Sequence, residues 1–131
     1  MGQEKLGKEN DEVIKAMGAF GGGLGGCGET CGAVIGALGI IGELFSRARE
    51  DEKENPRLWA YTREMVDKFR NEIVKKHPGI LCRDIAQVDW TNREEAKAFY
   101  RGEKVQECAR LVGETAKVLG EMIEKAQKES Q

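Results

Sequence analysis

A basic excess is missing from this chain of 131 residues: 21 lysines and arginines stand against 23 aspartates and glutamates, for a formal charge of -2. Nucleic-acid binding, which needs such an excess, is not expected, and neither is an acidic disordered tail. Proline is scarce, with only Pro56 and Pro78, and both stand where a helix can begin or end. An apolar leader is missing too. Residues 1–12 are charged and polar, so no secretory signal is read there. Gly2 follows Met1, but Leu6 takes the place where a myristoylation signal wants Ser or Thr. The longest apolar run, residues 32–41 and on to Leu44, is flanked by Glu29 and Glu43 and is too short to span a bilayer. The expectation is a cytoplasmic protein with no membrane partner. No stretch alternates apolar and polar residues long enough to make a sheet, and no internal repeat is evident.

What the chain does have is helical period and locally concentrated glycine. Nine of its 17 glycines fall in residues 18–36. Val13, Ile14, Met17 and Phe20 are spaced for a helix over 9–20, which Gly18 and the following glycines end. Residues 21–28 hold six glycines and must be a loop or tight turn. A second helix is expected over 30–49, with Thr30 as its cap. Val34, Ile35, Leu38, Ile40, Ile41, Leu44 and Phe45 nearly surround it, which places it in the middle of the domain. Gly28, Gly32 and Gly36 repeat every fourth residue as a strip where another backbone can approach.

Asn55 and Pro56 are a helix start signal, and a helix to about residue 76 presents Leu58, Trp59, Tyr61, Met65, Val66, Phe69 and Ile73 as its buried side. His77-Pro78-Gly79 stops it. A short turn over 80–85, a helix over 91–100 and a long helix over 103–128 complete the reading. The last carries a stripe of Val105, Cys108, Leu111, Val112, Thr115, Val118, Leu119, Met122, Ile123 and Ala126. The expected fold is all-α: one domain over 1–131, a bundle of about five helices with a glycine-rich loop before a buried central helix. A chain this long needs no disulfide staple. Residues 1–8 are expected to be a truncated or disordered start and 128–131 a frayed end.

Four cysteines in a cytoplasmic chain point to redox or metal chemistry rather than structural disulfides. Cys27 and Cys31 flank Gly28-Glu29-Thr30. Cys31 falls at the first turn of the central helix, where free N–H groups favour the thiolate, while Glu29 opposes it. Cys82 has Arg83 beside it, a guanidinium that stabilises a thiolate if it points the same way. Cys108 lies on the apolar stripe, where a cysteine alone is more often a small hydrophobe. CxxC pairs and a pair of histidines are both missing, which excludes a zinc finger. Residues 21–26 fit GxGxxG, but a helix precedes them and no lysine follows, so nucleotide binding is not read there. His77, the one histidine, suits a helix C-terminus as a cation.

The cysteines in context resemble the family of redox-active proteins named for a C…GCAxxG…C…C pattern. The matching residues are Phe20-Gly21-Gly22-Gly23-Leu24-Gly25, then Glu29-Thr30-Cys31-Gly32-Ala33-Val34-Ile35-Gly36-Ala37-Leu38, with Cys82 and Cys108 as the later cysteines. The resemblance runs from about Ala16 to the end. The chain reads TCGA where the name has GCA, and it has no cysteine upstream of the glycine loop: either Cys27 substitutes for it, or the site is incomplete. The resemblance implies a redox or metal site of Cys31, Cys82 and Cys108 with Cys27 adjacent. Cys31 and Cys82 are the expected reactive thiols. All four cysteines are the expected ligands should the site hold an iron–sulfur cluster or zinc. A redox partner protein follows from the disulfide version. A second reading makes the chain a helical interaction module, whose glycine strip forms a homodimer and whose cysteines are structural.

Overall fold

In the computed structural model, which describes residues 1–130, the chain forms seven α-helices and no β-strand among those residues. They are α1 (Gly2–Leu6), α2 (Asp11–Met17), α3 (Gly32–Phe45), α4 (Arg57–Lys68), α5 (Cys82–Ile85), α6 (Arg93–Arg101) and α7 (Lys104–Glu129). The expected long helices are present, with two changes of winding. A 3₁₀ turn, Gly18–Phe20, closes α2, and a π-turn, Phe69–Ile73, extends α4. Val74 N–H there bonds the Phe69 carbonyl at 2.9 Å, five residues back. The Ile73 carbonyl accepts from the Arg110 guanidinium at 3.0 Å instead. The start signal at Asn55 holds: its side chain accepts from the Arg57 N–H at 3.0 Å.

The core forms where α3 meets α4 and α7. Val34, Ala37, Ile41 and Phe45 of α3 pack against Tyr61, Met65, Phe69 and Ile73, and against Leu111, Leu119, Met122 and Ile123 of α7. Buried residues on α3 repeat at every third and fourth position, so one face carries the core and the rest is half-covered. A smaller cluster of Cys82, Ala86, Val88 and Phe99 sits to one side, with Trp90 and Val105 against it. Cys108 packs against both clusters and joins them.

Several positions depart from the sequence pattern. Trp59 is 51 % exposed and Val112 54 %, each at the edge of its helix's apolar stripe. No residue of α2 is buried, and Ile14 is 62 % exposed. The first residues form α1 rather than a disordered start. Gly2 is buried against α3: a Cβ there would meet Ile40 Cγ1 at 2.5 Å, so any larger residue would force the Ile40 side chain to move. Lys5 pairs with Glu124 of α7, and Gly7 ends the helix at φ +65°. Toward the other end α7 runs on to Glu129; residue 131 lies outside the described residues.

Candidate functional site

The glycine loop is a left-handed turn. Five consecutive residues, 22–26, have φ between +62° and +75°. L side chains avoid this region and glycine does not. Leu24 is the exception, at φ +64°, which costs it about 1–2 kcal/mol. The turn closes on itself through Gly25 N–H to Ala19 O at 2.7 Å and Glu29 N–H to Gly23 O at 2.9 Å. Its glycines also make room for the chain that follows α4. A Cβ on Gly23 would meet the Cys82 Cβ at 2.6 Å, and one on Gly28 would meet the Arg83 Cβ at 3.1 Å.

This packing brings distant cysteines together. Thr30 and Leu81 form an isolated antiparallel bridge. Around it Cys31 N–H donates to Ile80 O at 2.9 Å, Cys82 N–H to Glu29 O at 2.6 Å and Arg83 N–H to Gly28 O at 3.1 Å. Thr30, expected to cap α3, is spent on the bridge, and Cys31 takes the cap position. Cys82 opens α5 and is 9 % exposed. Its Sγ accepts a hydrogen bond from Trp90 Nε1–H at 3.4 Å.

The electrostatics tie three of the four thiols together. Burial pushes the Cys31 thiol above its usual 9, and the nearby Cys82 adds to the rise, although the Ala33 and Val34 amides pull the other way. The helix start therefore acts as expected, but burial outweighs it, and Cys31 is not net activated. Cys108 is pushed up to about 11, first by burial, then by Cys31 and Cys82, and last by Glu107. Cys82 thus bears on Cys31, and both bear on Cys108. Cys27 contributes to neither shift. It is exposed, its Sγ lies 3.9 Å from Gly25 O, and it lines an open cleft of about 320 Å³ with Arg83 and Trp90. All four cysteines are free thiols. Among the described residues no three His, Cys, Asp or Glu side chains are grouped so as to hold a metal ion.

Neighbouring residues take roles that the sequence pattern does not assign. Arg83, expected beside a thiolate, donates to Glu29 Oε1 at 2.6 Å and to Gly28 O at 3.0 Å. His77 pairs through Nε2 with Glu107 Oε1 at 3.1 Å. Arg110 holds the same carboxylate at 2.6 Å, and its two partners depress Glu107 to about 2, Arg110 most. Nothing in the sequence pattern singles out Trp90. Of the glycine strip, Gly32 is tight, since a Cβ there would meet Phe20 O at 3.2 Å, while Gly36 faces open space. No described helix is long and apolar enough to cross a membrane.

A family model described as "Putative redox-active protein (C_GCAxxG_C_C)" matches residues 1–122 of the chain. No curated protein and no solved structure matches it.

Proposed function

Because this chain belongs to the redox-active protein family with the C…GCAxxG…C…C pattern, we propose that Cys31, Cys82 and Cys108 form its redox site, with Cys31 and Cys82 cycling between dithiol and disulfide. The observation that carries the reading is the Thr30–Leu81 bridge. It pins the two segments antiparallel, with Cys31 opposite Ile80 and Cys82 opposite Glu29, so that the two cysteines are diagonal neighbours across the bridge, near enough for Cys82 to raise the Cys31 thiol. In oxidation the two thiols give up two protons and two electrons to an external disulfide. A bond forms between the Cys31 and Cys82 sulfurs, and the external disulfide leaves as two thiols. Cys108, raised to about 11, stays protonated at neutral pH and is the poorer nucleophile. A dithiol–disulfide protein is the natural redox partner, and a cytoplasmic setting, whose thiol pool keeps such a pair reducible, suits it.

Zinc or an iron–sulfur cluster draws on about four donors. Cys27, the fourth thiol, lines the cleft beside Arg83, and no three donors among the described residues are grouped for an ion. The residues as placed do not fit such a group, which favours the disulfide reading.

The test is to equilibrate the reduced protein in glutathione buffers of increasing oxidation and map linkages by peptide mass. A Cys31–Cys82 link is expected, lost in Cys31→Ser and Cys82→Ser and retained in Cys27→Ser. Four free thiols across the whole series would end the proposal.

A further inference from the structure

Trp90 sits in the loop between α5 and α6, with its indole N–H on the Cys82 sulfur at 3.4 Å. An indole N–H only donates, so the sulfur is the acceptor. The ring is held on several sides. It meets Phe99 edge-on at 5.0 Å between centroids, and Tyr100 lies at 6.1 Å. The glycine turn gives it room: a Cβ on Gly22 would meet Trp90 Cδ1 at 3.2 Å, and one on Gly26 would meet Trp90 Cβ at 3.4 Å. The residue also lines the cleft that holds Cys27 and Arg83. A ring fixed in this way cannot easily turn its N–H elsewhere.

We propose that Trp90 is a positioning residue of the redox pair: its N–H stabilises the Cys82 sulfur in the reduced state and makes Cys82 the leaving group when the disulfide opens. The inference rests on the Cys31–Cys82 reading above. An external thiolate attacks the Cys31 sulfur, the less buried of the two. A bond forms between the external sulfur and Cys31, the Cys31–Cys82 bond breaks, and the electron pair goes to Cys82, where the indole N–H meets it. A second external thiol then releases Cys31 and departs with the first as a disulfide, so two thiols are consumed and one disulfide is made. Charge building on a sulfur is where a hydrogen bond acts most strongly, and a disulfide sulfur accepts such a bond poorly.

Trp90→Phe keeps the ring and removes the donor; Trp59→Phe, on the exposed side of α4, is the control. Two readouts are taken on the full chain: iodoacetamide labelling of Cys82 in the reduced protein near neutral pH, followed by peptide mass, and the dithiol–disulfide equilibrium against dithiothreitol. Loss of one such hydrogen bond predicts labelling of Cys82 that is about three- to tenfold slower in Trp90→Phe, and an equilibrium moved toward disulfide by a similar factor. Trp59→Phe should move neither. Unchanged labelling overturns the assignment. So does faster labelling, which would mean that the ring merely covers the sulfur. A wild-type chain that forms no Cys31–Cys82 disulfide, with labelling still slowed in Trp90→Phe, would retire the redox reading and leave the Trp90 contact supported.

Discussion

The glycines of the left-handed turn differ in what they face. Gly25 has open surroundings beyond the Ala19 carbonyl, whereas Gly23 has the Cys82 Cβ and the Glu29 backbone within 2.6 Å of where a side chain would begin. Gly23→Ala should therefore cost roughly 2–4 kcal/mol, the left-handed backbone penalty and overpacking acting together, as read by urea denaturation. Gly25→Ala should cost the backbone penalty alone, about 1–2 kcal/mol. Equal losses in the two variants would show that the Cys82 contact adds nothing. The thiols separate in the same way. Exposed Cys27 should label with N-ethylmaleimide before Cys31, whose burial opposes ionisation, and before Cys108. Labelling of Cys31 first, followed by peptide mass over time, would mean that the Ala33 and Val34 amides prevail after all.

Among the elements, α3 shows what a sequence can and cannot announce. Its apolar period, the glycines that precede it and the cysteine at its start are all legible, because each is a local signal. That the strip on its surface has two unlike ends is not, since Gly32 meets the Phe20 carbonyl from a 3₁₀ turn while Gly36 meets nothing. Gly36→Ala should gain about 0.5–1 kcal/mol of helix propensity, seen as a higher melting temperature with unchanged mass by light scattering. A lower melting temperature together with a changed mass would identify the strip as a contact between copies. The long stripe of α7 was legible for the same local reason, repeating over several turns. Helix α1 was not: five residues carry no period to read, and its place depends on Gly2 fitting over Ile40. Trp90 was equally silent, because its contact with Cys82 exists only once the left-handed turn has made room for the ring.

Over the whole molecule, Cys108 stands at the join of two apolar clusters, and its titration reports on that join. The thiol ionises near 9 when unfolded and near 11 when folded. Between those values the unfolded chain releases a proton that the folded one keeps, so stability should fall as pH rises from 9 to 11. Tyr61, raised to about 12 by burial and by its bond to Glu129, extends the loss upward. Cys108→Ala should flatten the first part of this decline in denaturation midpoints taken at each pH. On the acid side the sign reverses. Glu107, depressed to about 2, supplies stability that is present above pH 4.5 and lost as pH falls toward 2, and Glu107→Gln should remove that slope.

On the proposed dithiol–disulfide reading, the segments joined by the Thr30–Leu81 bridge would tie redox state to folding through a thermodynamic cycle. Reduced and oxidised chains, folded and unfolded, make four corners of a square, and the free energies around it must sum to zero. Cross-linking residues 31 and 82 removes freedom chiefly from the unfolded corner, roughly 4 kcal/mol for a loop of this length by chain-entropy arguments. The folded corner gives up little, because backbone hydrogen bonds already hold both segments. Whatever stability oxidation adds must reappear as a more negative reduction potential of the folded pair than of the same two cysteines in the unfolded chain. A denaturation curve and a redox titration are thus two measurements of one quantity, and each fixes the answer the other must give.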